Sequence, residues 1–222
     1  VDGERSIPLN FPANTDPDAR SITVEISPSI AGTMFSALDY LTSYPYGCTE
    51  QTMSSFLPNL IVQQAVQQLH MANRVDQVSL NAKIQAGLDR LADYEHEDGG
   101  WGWWKEDQSQ VFMTSYVVSG LAETQRAGQA KAGAPLSRGV GFLQRMLKEH
   151  PRMLPELRAY VVYALSEADQ NERAELNTLY GRRGDLSPQA LAFTGLAMVR
   201  EKDGHAAEIA KLVEGKVTQE GE

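Results

Sequence analysis

Small and aliphatic residues at helical spacing recur at intervals along the chain, and this repeat constrains the fold more than any other feature. Ala86-Gly87-Leu88-Asp89-Arg90-Leu91 is matched by Arg138-Gly139-Val140-Gly141-Phe142-Leu143. Tyr116-Val117-Val118-Ser119-Gly120-Leu121 is matched by Tyr160-Val161-Val162-Tyr163-Ala164-Leu165, and a weaker copy ends in Thr194-Gly195-Leu196. Each unit pairs a polar-faced helix with a more apolar one, so stacking such hairpins buries the apolar helices against their neighbours. The expected fold is all-α, an α/α toroid with inner and outer helices. A full toroid usually has about six hairpins and only about four are readable, so the ring is expected to be incomplete.

Apolar residues three and four apart predict helices over 29–41, 49–71, 79–94, 111–127, 137–149, 155–168, 171–180 and 187–201. Ser79 and Ser137 read as helix starts, and Ser187-Pro188 reads as a cap followed by proline at the first helical position. After Glu201 no further hairpin is evident, and Val217 to Glu222 reads as a charged tail. Residues 1–28 differ. Pro8, Pro12 and Pro17 break any helix, then Ser21 to Ile26 alternate like a half-buried strand. A lone strand needs a sheet to join, so two regions are expected: 1–28 as an extended β segment of a neighbouring domain, and 29–222 as the helical domain.

Composition limits the functions open to such a fold. The formal charge of −9 and the dispersed lysines and arginines exclude a nucleic-acid surface, which needs a basic stripe. No apolar run approaches the roughly 20 residues that cross a bilayer. His70, His96, His150 and His205 show no ligand spacing, so neither metal nor cofactor is expected. One cysteine cannot form an internal disulfide.

That cysteine stands in Tyr44-Pro45-Tyr46-Gly47-Cys48-Thr49-Glu50-Gln51, three residues before a glutamine and at the start of a predicted helix. A lone cysteine is usually a small buried hydrophobe. Here the spacing lets Cys48 sulfur reach the Gln51 side-chain amide, and attack with loss of ammonia gives an internal thioester. The thiolate is the nucleophile, and a helix N-terminus favours negative charge. Gly47-Cys48-Thr49-Glu50-Gln51 resembles the Gly-Cys-Gly-Glu-Gln signature of the α2-macroglobulin and complement thioester family, and Tyr44-Pro45-Tyr46 resembles its bacterial branch. Thr49 departs from the animal motif.

The resemblance implies a thioester domain inserted into a CUB-like β-sandwich, to which 1–28 would belong. It implies a non-enzymatic inhibitor that traps an attacking protease by acylating a lysine amine, working with neighbouring domains of a longer chain in the periplasm or at the cell surface. Cys48 and Gln51 would form the bond, supported by Gly47 and Glu50. Tyr44, Tyr46, Met53 and Phe56 are candidate shields against water, and ordinary core packing explains them equally well. Glu50 reads chiefly as a first-turn acid favoured by the helix dipole. His150 falls where some complement relatives carry an acyl-relay histidine, although a surface histidine at a helix end accounts for it better.

Glu97-Asp98-Gly99-Gly100-Trp101-Gly102-Trp103-Trp104 reads as a turn that joins two helices of a hairpin and glues repeats together. It also resembles the repeat motif of squalene and hopene cyclases and of protein prenyltransferases, which share the toroid. The chain has no Asp-x-Asp-Asp acid cluster, and its one cysteine is already in the thioester-like motif, so those readings lack their catalytic residues. Two alternatives stand beside the trap: a structural or protein-binding toroid with an unused thioester, and a toroid enzyme of the terpene-cyclase or prenyltransferase type.

Overall fold

The computed structural model describes residues 47–68 and 77–216, together with 6, 8, 10–12, 14–16, 18 and 20–21. Within these residues the chain is helical and contains no strand. The helices are α1 (Thr49–Gln68), α2 (Gln77–Asp93), α3 (Val111–Arg126), α4 (Gly133–Glu149), α5 (Pro155–Glu167), α6 (Arg173–Gly181), α7 (Pro188–Arg200) and α8 (Ala206–Lys216). The strand expected near 21–26 and the helix expected over 29–41 lie outside the described residues.

Successive helices pair as α1 with α2, α3 with α4, α5 with α6 and α7 with α8, while α1, α3, α5 and α7 also pack side by side in that order. This produces an inner row and an outer row. The sequence explains which helix goes where. In α3 the buried set runs through Met113, Thr114, Ser115, Val117, Val118, Gly120, Leu121 and Ala122, and α5 is buried continuously from Arg158 to Val162. Such helices have neighbours on most sides. By contrast α2 buries only the stripe Leu80, Ile84, Leu88 and Leu91, and α6 only Leu176 and Leu179.

The repeat is visible in the packing. Gly87 of α2 faces the Phe56 ring of α1, where an added Cβ would sit 2.6 Å from it, and Gly139 of α4 faces Val118 of α3 at the same distance. Both copies of the first pattern therefore fall on outer helices that press closely on their inner partners. The second pattern falls on inner helices α3, α5 and α7.

Three expectations need correction. Ser79 and Ser137 lie inside α2 and α4 rather than at their starts. The α4 helix begins earlier because a 3-10 turn, Ala130–Ala132, feeds into it and Pro135 sits in the first turn, where a missing N–H is no loss. The chain also does not end its helices at Glu201: α8 completes the fourth hairpin, with Ile209 buried against Gly195 of α7. Its apolar stripe is short, and Asp203 starts it by accepting from the backbone and ring of His205. Ser187 caps α7 as expected, its hydroxyl accepting from Ala190 N–H at 3.2 Å, ahead of Pro188.

Candidate functional site

Cys48 precedes α1, and its carbonyl accepts the first helical bond, from Thr52 N–H at 2.9 Å. That makes Cys48 the cap residue and Gln51 the third residue of the helix. The Gln51 side chain folds back so that its Oε1 accepts from Cys48 N–H at 3.1 Å. The same return by glutamine or glutamate defines a capping box, whose cap residue is ordinarily Ser or Thr. Here a thiol stands in place of the hydroxyl. The spacing that brings a carboxamide to a helix cap is thus the spacing that brings it to a nucleophile.

Cys48 is buried at 8% exposure, whereas Gln51 is exposed. Gly47 makes room for the returning side chain: a Cβ there would lie 2.6 Å from Gln51 Cβ and 2.7 Å from Oε1. Its carbonyl accepts from Arg90 Nη2 at 2.7 Å, and the Tyr94 hydroxyl lies 3.4 Å away. Glu50 is partly buried in the first turn and accepts from the Ser54 hydroxyl at 2.6 Å. Thr49 is fully buried, its N–H donating to Trp103 O at 2.8 Å and its Oγ1 lacking a hydrogen-bond partner.

The bond to Trp103 ties the Gly/Trp segment to this site. The segment connects α2 to α3, and so links one hairpin to the next rather than two helices of one hairpin. Trp101 is its anchor, fully buried with Nε1–H donating to Leu91 O at 2.7 Å. Gly99 has φ +81, and a Cβ there would meet Arg138 O at 2.8 Å, so glycine alone fits. Asp107 Oδ2 accepts from the N–H groups of Trp103 and Trp104, which fixes the Trp103 carbonyl that faces Thr49. The turn is anchored by the single packed indole of Trp101, while the Trp103 and Trp104 side chains are exposed, and the carbonyl of Trp103 adds a direct hold on the motif. Sequence reasoning missed this hold because a backbone acceptor leaves no trace in residue type.

Of the other candidates, Met53 and Phe56 are core residues: Met53 Cε approaches Gly120 of α3 and Phe56 approaches Gly87 of α2. Tyr44 and Tyr46 lie outside the described residues. His150 is exposed at the C-terminal cap of α4, and its carbonyl accepts from Arg158. Among the described residues no group of three His, Cys, Asp or Glu side chains is placed to hold a metal ion, and no helix is long and apolar enough to cross a membrane.

The family model of the A-macroglobulin TED domain matches residues 21–150. The chain belongs to that family. It is 39% identical over 117 residues to the alpha-2-macroglobulin of Thermotoga maritima, a stretch covering 53% of this chain and 7% of the relative. With the alpha-2-macroglobulin of Rickettsia conorii it shares 26% identity over 155 residues, covering 68% of this chain and 8% of the relative. The chain therefore spans less than about a tenth of these thioester-family relatives. Its fold matches native alpha-2-macroglobulin from Escherichia coli, spanning domain MG7 to the C-terminus, with a TM-score of 0.69. That match has 23% identity and covers 85% of this chain and 32% of the other. Salmonella alpha-2-macroglobulin reacted with methylamine gives a TM-score of 0.68 at 23% identity, over 84% of this chain and 13% of that one. The all-α expectation holds, and a bacterial α2-macroglobulin thioester domain is the relationship the sequence resemblance implied.

Proposed function

We propose that this domain carries the reactive bond of an α2-macroglobulin-like covalent protease trap, with Cys48 and Gln51 joined as an internal thioester. The observation that carries the reading is the Gln51 carboxamide held by Cys48 N–H at the cap of α1. In closure the Cys48 Sγ–Gln51 Cδ bond forms, the Cδ–Nε2 bond breaks, and the thiol proton leaves with the nitrogen as ammonia. In trapping, a lysine amine of the protease attacks Cδ, the C–S bond breaks, and the amine proton passes to sulfur. Each domain reacts once, so the trap is stoichiometric rather than catalytic. Foreign proteases are met in the periplasm or at the cell surface, where the reading places the parent chain, and its neighbouring domains supply trigger and shelter.

Intact mass and peptide mapping over residues 44–56 test the reading on the full-length polypeptide. The expected result is a mass lower by one ammonia, then methylamine incorporated at Gln51 with release of one thiol. A free Cys48 thiol beside an unmodified Gln51 amide before treatment would overturn it.

A further inference from the structure

The Gly47–Cys48 peptide unit is gripped at both ends. Its carbonyl oxygen accepts from Arg90 Nη2 at 2.7 Å, and its N–H donates to Gln51 Oε1 at 3.1 Å. A peptide is planar, with C=O and N–H pointing in opposite directions, so fixing the oxygen aims the hydrogen. Arg90 is itself fixed. Its Nη2 also donates to the Tyr94 hydroxyl at 3.0 Å, its guanidinium carbon lies 5.2 Å from the Tyr94 ring centroid, and that hydroxyl in turn donates to the same Gly47 carbonyl at 3.4 Å, so the pair grips the peptide together.

During closure Gln51 Oε1 gains negative charge as sulfur adds to Cδ, so a donor already aimed at that oxygen lowers the barrier. A cation bound to the opposite end of the peptide draws electron density toward its carbonyl, which makes the N–H a stronger donor, and partial burial limits screening by water. We propose that Arg90, held by Tyr94, is a positioning residue for thioester closure that acts through the Gly47–Cys48 peptide. The chain of contacts runs from guanidinium to carbonyl, through the peptide, to the amide oxygen under attack. Neither residue belongs to the Cys-x-x-Gln motif: both come from the C-terminal end of α2 and the turn after it. The inference rests on the thioester reading above and adds the residues that set its rate.

The test follows closure of freshly synthesised full-length chain by intact mass, sampling the loss of ammonia over time, with thermal melting measured in parallel. Arg90→Met should close about 10-fold more slowly, a smaller effect than removing an oxyanion donor outright. Arg90→Lys, which keeps the charge and can still donate to the carbonyl, should stay within about 3-fold of the parent, and the control Arg183→Gln, which removes an exposed ion pair with Glu208, should close at the parental rate. A slowed Arg90→Met beside a near-normal Arg90→Lys, with equal melting temperatures, separates positioning from structural support. Closure of folded Arg90→Met at the parental rate would overturn the inference and leave the thioester reading intact. If Arg90→Met fails to fold, Tyr94→Phe decides: it should slow closure about 3-fold, and a parental rate would overturn the inference. A parent chain that never loses ammonia would sink both.

Discussion

At the scale of single residues, the site depends on space as much as on chemistry. Gly47 is the clearest case, since any Cβ would occupy the position of the returned Gln51 side chain. Gly47→Ala should reduce thioester closure by about 100-fold, because small misplacements of reacting groups carry penalties of that order. Its urea midpoint should hardly move, as Gln51 is exposed; mass spectrometry and a urea melt on the same sample check both halves. Thr49 makes the opposite point. Its buried Oγ1 has no hydrogen-bond partner, so Thr49→Val keeps the shape and removes an unsatisfied hydroxyl. Stability in urea should stay level or rise by up to about 1 kcal/mol.

At the scale of elements, the joint between α2 and α3 holds the first two hairpins and the cap of α1 together. Trp101→Ala removes a fully buried indole and its bond to Leu91 O, and should destabilise the domain by about 3–5 kcal/mol in urea unfolding. Ser187→Ala, which removes only the cap of α7, should cost about 1 kcal/mol by the same measurement. These elements also differ in how readable they were. The Ser187-Pro188 pair announces its helix because capping chemistry is local, whereas the start of α4 depends on a preceding 3-10 turn that composition does not mark. The α8 helix escaped notice because a hairpin partner needs only Ile209 and its half-buried neighbours to dock. The Cys48 to Gln51 pair was legible from its spacing together with the resemblance of Gly47 to Gln51 to the family signature. Arg90 was not, since its role comes from the end of another helix meeting Gly47 in space.

At the scale of the whole molecule, the ends of the inner helices are tied by charge. Arg126 of α3 pairs with Glu123 of the same helix and with Glu167 of α5, while Arg200 of α7 reaches Glu167 and Asp169. Gln64 of α1 donates to Glu123 at 2.7 Å. Burial alone would raise the Glu123 carboxyl, but the hydrogen bonds from Gln64 and Arg126 outweigh it and hold the group below its ordinary value of 4.5. A carboxyl lowered by folding contributes stability that is present above its unfolded value and lost as pH falls through the folded one. Urea midpoints should therefore drop as pH falls below about 4.5, and Glu123→Gln should flatten part of that fall. Because the network is partly exposed, added salt should weaken it, which the same titration at two ionic strengths will register.

The sequence alone determined the helical class, the alternation of inner and outer helices, and the pairing of a thiol with a carboxamide. The first two are written in short-range periodicity, and the third in a spacing that the resemblance to the family signature makes readable. Tertiary structure decided which groups surround that pair: the Trp103 carbonyl on Thr49, the Arg90 guanidinium on Gly47, and the core positions of Met53 and Phe56. All of these contacts join segments far apart along the chain, and the first two end on backbone carbonyls that every residue carries, so only folding makes them specific.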